Sequence, residues 1–91
     1  MTTQQIINHF GNYNQLKKAS EELRELAEAI EEGDKQHITE EIADVEIMLE
    51  QLMIIKDINR VDVDNYKRYK NNRTINRIRV GYYKEGVGVY E

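Results

Sequence analysis

Apolar residues return every three or four positions along most of this chain, with polar and charged residues between them, and that spacing predicts helices. Gln4 to Phe10 reads as a short leading helix stopped by Gly11, after which Asn12 is an N-cap candidate with Gln15 three residues on. The first long helix is expected from about Tyr13 to Glu32 (13–32), with Leu16, Ala19, Leu23, Leu26, Ala27 and Ile30 as its apolar stripe, and Glu31, Glu32, Gly33 and Asp34 end it. A second helix is expected over about His37 to Asp57 (37–57), and its pattern is broader. Ile38, Ile42, Val45, Leu49, Leu52 and Met53 form one face, Met48 and Ile55 widen it, and Ile47 and Ile54 lie almost opposite at about 100° of rotation per residue. A helix apolar on opposing sides is covered on both, and in so short a chain one cover has to come from another subunit, so at least a dimer is expected. A third helix is expected to start near Asp62, a possible N-cap, and to run to about Arg79 (62–79); it is basic and only partly amphipathic. The tail, residues 80–91, is left unassigned.

The whole is expected to be a single domain, 1–91, all-α, folded as an antiparallel helical bundle and completed by oligomerisation. Absence of proline and a total of five glycines leave the helices uninterrupted. At 91 residues the chain is near the lower limit for a self-sufficient core. It has no cysteine, so neither a disulfide nor a thiolate metal site adds stability, and a cytoplasmic location is the easier reading. The most apolar stretch, Ile42 to Ile58, is broken by Asp44, Glu46, Glu50, Lys56 and Asp57, so no membrane span is expected.

A formal net charge of −4 argues against general nucleic-acid binding. The charge is unevenly placed, however. Residues 1–55 carry twelve acids against Lys17, Lys18, Arg24 and Lys35, whereas residues 56–84 carry nine bases against three acids. An acidic helical pair beside a basic helix suits a cation and a polyanion held together.

The candidate chemistry lies among the carboxylates. His9 and His37 are isolated in sequence and neither Ser20 nor any threonine has a histidine nearby, which argues against a nucleophilic triad. Glu22 and Glu25 are three apart, on adjacent turns of one helix face, and Glu41 and Asp44 repeat the spacing on the next helix. A short connection over Gly33 to Gln36 makes the two helices antiparallel neighbours, so both pairs can face a common space. Four oxygen donors suit Mg²⁺ or Mn²⁺ and suit zinc poorly. By rotation Glu41 falls between Ile38, Val45 and Met48, and Asp44 borders the same stripe, which is costly for bare carboxylates unless a cation, a firm partner or water offsets it. On spacing alone, pairing with a buried Arg or Lys serves as well as a metal. The other glutamates, Glu21, Glu28, Glu31, Glu32, Glu40, Glu46 and Glu50, read as a solvated, salt-bridged face.

The run Glu21-Glu22-Leu23-Arg24-Glu25-Leu26, followed by Glu41-Ile42-Ala43-Asp44, resembles the E-x-x-E then E-x-x-D signature of the MazG-like all-α nucleotide pyrophosphohydrolases. Gly11, Gln15-Leu16-Lys17-Lys18-Ala19 and the segments EELRELAEAI and EEIADVEIMLEQL are similar to small phage and prophage members of that group, over roughly residues 6–79. The resemblance implies an antiparallel helical fold assembling as dimers or tetramers, and Mg²⁺-dependent hydrolysis of (deoxy)nucleoside triphosphates to the monophosphate and pyrophosphate. It implies Glu22, Glu25, Glu41 and Asp44 as metal ligands and catalytic groups. It also implies phosphate-binding side chains on a later helix, for which Lys70, Asn72, Arg73 and Arg77 are the candidates. Two alternatives stand beside it: a non-catalytic helical interaction protein whose second helix is an oligomer seam, and a nucleic-acid-binding accessory protein using the basic third helix with its tyrosines.

Overall fold

The computed structural model of the chain describes residues 1–81; the rest of the unassigned tail, from Tyr82, lies outside them. Four helices follow one another, α1 (Thr3–Phe10), α2 (Asn12–Glu32), α3 (Lys35–Ile55) and α4 (Arg60–Arg79), with no strand among the described residues. The protein is all-α, as its periodicity predicts.

Local chemistry sets each boundary. Thr2 caps α1 with a reciprocal box: its hydroxyl accepts from the Gln5 amide at 3.1 Å, and its own N–H donates to Gln5 Oε1 at 2.8 Å. Gly11 closes α1 and opens α2 with φ 91°, a value that favours glycine, and Asn12 is the first helical residue rather than the cap. α2 ends at Gly33, which is left-handed (φ 83°, ψ 6°) and donates its N–H to the Ala29 carbonyl at 3.0 Å. Asp34 then caps α3, accepting from the Gln36 amide at 3.3 Å. The second long helix therefore begins two residues earlier than expected and also ends two earlier, at Ile55. α4 likewise starts before Asp62: Asn59 is its cap, with Oδ1 accepting from the Val61 amide at 2.8 Å.

The chain divides into two compact units, Met1–Ile58 and a second beginning at Asn59. In the first, α2 and α3 form an antiparallel hairpin joined by the tight Gly33-Asp34 turn, and α1 packs against both. Ile7 of α1 is the most deeply buried large side chain, 1% exposed. The second unit's described part is α4, which has no buried residue.

The face that each long helix turns to its neighbour matches the expected one in part: Ala19 and Leu26 of α2 and Val45, Met48, Leu52 and Ile55 of α3 are inward as expected, while other expected residues are not. On α2 the inward residues are Gln15, Ala19, Glu22 and Ala29, with half-buried Leu26 between the last two; on α3 they are Glu41, Val45, Met48 and Gln51, continued by half-buried Leu52 and Ile55. Positions 15, 19, 22, 26 and 29 alternate steps of four and three, which is the seam of a coiled coil. Small and polar residues alternate in it with Leu26, Val45 and Met48. The leucine stripe expected to face inward sits one residue further on: Leu23 and Ile30 of α2 and Ile42 and Leu49 of α3 are exposed. In an antiparallel pair, advancing one residue from the seam on either helix rotates both side chains toward the same side, so Leu16, Leu23, Ile30, Ile42 and Leu49 share one face of the hairpin. Across the seam, Gln15 Nε2 donates to Gln51 Oε1 at 2.7 Å, a buried bond that pins the register of the two helices.

Candidate metal centre

The register fixed by the two glutamines brings acids together seven residues further along α2 and seven residues back along α3. One carboxylate oxygen each of Glu22, Glu41 and Asp44 lies within 4.8 Å of the others, Glu22 and Glu41 being buried and Asp44 exposed. Glu22 is 5% exposed and Glu41 9%. Glu25, the fourth acid singled out by sequence, lies outside this trio and is exposed. It still feels the cluster: the charge of Glu22 first, then loss of hydration and the charge of Glu41, raise its pKa above the ordinary carboxylate value, against a smaller pull from Lys18.

Each buried carboxylate is held by one oxygen only. Lys18 Nζ lies 3.0 Å from Glu22 Oε1, one turn away, and this bond is the chief reason that the lysine's pKa is raised. His37 Nε2 lies 3.4 Å from Glu41 Oε1, also one turn away, while its Nδ1 lies 3.3 Å from Glu32 Oε2. Partial burial alone lowers the His37 pKa, but Glu32 and Glu41 outweigh it and the net shift is upward. The second oxygens, Glu22 Oε2 and Glu41 Oε2, are buried with no hydrogen-bond partner in the protein. Two orphaned carboxylate oxygens within reach of a third acid fit a hard divalent cation, which takes oxygen ligands and offsets charge that burial would otherwise make costly.

Sequence reasoning treated His37 as isolated and Glu32 as plain surface charge; in the fold the two meet each other, and His37 also meets Glu41. The signal was present in the i, i+4 spacing of His37 and Glu41. Gln15 and Gln51 carried no such signal, because only the tertiary pairing shows that they face each other.

The later candidates lie on α4, in the second unit. Asn72, Arg73 and Arg77 line one groove with Tyr69, Asn76 and Val80, and the Arg73 guanidinium stands 5.5 Å from the Tyr69 ring centroid, a cation–π distance. Lys70 is exposed and is not among the residues lining that groove.

The fold and the site together define an all-α protein with a carboxylate cluster on an antiparallel helical hairpin. The sequence model of the MazG nucleotide pyrophosphohydrolase domain matches residues 10–69, and the chain belongs to that family. No curated protein and no solved structure matches the chain. No helix among the described residues is long and apolar enough to cross a membrane.

Proposed function

We propose that this protein hydrolyses nucleoside or deoxynucleoside triphosphates to the monophosphate and pyrophosphate with the help of Mg²⁺ or Mn²⁺. The observation that carries the reading is the trio Glu22, Glu41 and Asp44 within 4.8 Å, two of its oxygens buried and unpartnered, in a MazG domain. Glu22, Glu41 and Asp44 would hold the cation, with Glu25, one turn from Glu22, as the proposed fourth ligand. When bound, the metal would neutralise phosphate charge and orient a water toward phosphorus. The carboxylates fix the place of hydrolysis, and one of them takes the proton of the attacking water. Asn72, Arg73 and Arg77, which share a groove, and Lys70 on the same helix are the proposed partners of the phosphates, the guanidiniums meeting charge that develops on pyrophosphate.

The family match runs across the boundary between the two compact units, which supports reading the chain as one functional domain. The exposed stripe of Leu23, Ile30, Ile42 and Leu49 supports assembly of two copies: it is an apolar face left outside the seam of the hairpin. The same face is what a non-catalytic interaction protein would present.

Pyrophosphate release from a panel of dNTPs and NTPs, with Mg²⁺ and with EDTA, tests the reading. Metal-dependent release by the wild type and loss of at least a hundredfold in Glu41→Gln are expected. A folded wild type that releases nothing from any nucleotide leaves the interaction reading in its place.

A further inference from the structure

We infer that His37 is a positioning residue of the carboxylate centre: anchored to Glu32 through Nδ1, it holds Glu41 by one oxygen and thereby aims the other at the cation. The inference rests on the cation-binding reading above and adds to it a residue outside the acidic trio.

Three observations carry it. First, the two nitrogens of one imidazole engage two carboxylates, Nδ1 with Glu32 Oε2 at 3.3 Å and Nε2 with Glu41 Oε1 at 3.4 Å. A ring held at both ends has little rotational freedom left, so the Glu41 oxygen that it contacts is fixed as well. Second, the contact leaves Glu41 Oε2 buried and without a partner, which is where a ligand oxygen should be free. Third, Glu22 is treated alike, with Lys18 on Oε1 at 3.0 Å and Oε2 left buried and unpartnered. Two carboxylates on two different helices thus show the same division of labour, one oxygen tethered by a base one helical turn away and one oxygen spare.

The placement of the anchor explains why a histidine suits this point. Glu32 is the last residue of α2 and His37 lies in the first turns of α3, so the ring spans the Gly33-Asp34 connection and ties the end of one helix to the ligand on the next. A lysine at position 37 has no second nitrogen with which to reach Glu32 while holding Glu41. Histidine bonded to a carboxylate on one side and to a metal-site group on the other is a familiar outer-sphere arrangement, and loss of such a partner weakens metal binding by about ten- to a hundredfold.

The test is Mn²⁺ binding to the full chain, followed by the electron paramagnetic resonance signal of free Mn²⁺, in wild type, His37→Ala, His37→Gln, Glu32→Gln and the reference Glu41→Gln. His37→Ala should weaken Mn²⁺ binding about tenfold or more, while His37→Gln, whose amide N–H can donate to the same Glu41 oxygen, should stay within about threefold of wild type. Glu32→Gln should fall between them. Helicity of each variant in EDTA is read by circular dichroism, and if His37→Ala does not fold, the other two variants carry the comparison. Wild-type affinity in folded His37→Ala, or equal loss in the Ala and Gln variants, overturns the inference while leaving the cation site standing. Wild type that binds Mn²⁺ no better than Glu41→Gln brings down the cation reading itself, and the role of His37 with it.

Discussion

Glu41→Gln should stabilise the protein in EDTA and destabilise it, relative to wild type, in saturating Mg²⁺. The substitution keeps the shape of the side chain and the oxygen that faces His37, and removes one buried negative charge. The carboxylate oxygens of Glu22 and Glu41 lie within 4.8 Å, and at that separation two unit charges repel by about 3.5 kcal/mol at an effective dielectric near 20. Lys18 and His37 offset part of this, and Asp44, being exposed, adds little. A net gain of about 2 kcal/mol remains for the neutral variant, or roughly 10 °C in Tm for a domain of this size. Mg²⁺ at a hundred times its dissociation constant should return about 2.7 kcal/mol to the wild type and none to the variant. The two melting curves should therefore exchange order on moving from EDTA to Mg²⁺, at fixed protein concentration and with equal helicity by circular dichroism. A variant that melts at or below wild type in EDTA would mean that the Glu41 charge is already satisfied within the protein, and the electrostatic reasoning for a cation would fail.

Gln51→Leu strands the buried Gln15 amide and should cost about 1–3 kcal/mol in urea unfolding, whereas the Gln15→Leu, Gln51→Leu double variant should recover most of it; a single variant that costs nothing would mean that water already serves the pair. Gly33→Ala puts a Cβ on a left-handed residue with open space around it, so the cost is purely conformational, about 1 kcal/mol, with Gly33→Asn milder; equal stability of all three proteins would contradict the cap. The raised His37 pKa predicts a sign. The stabilisation it brings is complete below the ordinary value of 6.5 and fades as pH rises through the higher folded value, so in EDTA the Tm advantage of wild type over His37→Gln should shrink as pH rises above 6.5, and an advantage that grows would refute it. Ile42→Glu places a charge in the middle of the exposed apolar stripe and should shift sedimentation toward the monomer without loss of helicity; an unchanged sedimentation coefficient removes the proposed assembly face.

The helices were legible because a period near 3.6 survives any choice of partner. Their ends were less so, since capping depends on which of several polar residues leaves the helix first: Asn59 caps α4 in place of Asp62, and Asp34 caps α3, which so starts two residues before the expected His37. The inward face was legible only in part. Hydrophobic periodicity placed Leu16, Ala19, Leu23, Leu26, Ala27 and Ile30 of α2 on one stripe; Ala19 and Leu26 do turn inward, but Leu23 and Ile30 are exposed and Gln15, Glu22 and Ala29 take the remaining inward places. Glu22 was singled out by its three-residue spacing to Glu25, and Glu41 by its place among Ile38, Val45 and Met48; that Glu22 is buried could not be read, since the stripe that it shares with Gln15 and Ala19 is not an apolar one.

Register and chemistry are encoded by the same seam. Gln15 lies seven residues before Glu22 and Gln51 seven after Asp44, so the amide pair stands one heptad, or about 10 Å, from those two acids, with Glu41 about one turn beyond Asp44. A slip of one heptad would set a glutamine against a carboxylate and leave its former partner buried and unsatisfied, at a cost greater than the apolar contacts of alanines in the seam could return. The hairpin therefore has one favourable register, and in that register the acids meet. The buried polar residues that weaken this small core are also what specify where the candidate metal ligands converge, which explains why a seam that could have been filled with leucine carries Gln15, Glu22, Glu41 and Gln51 instead.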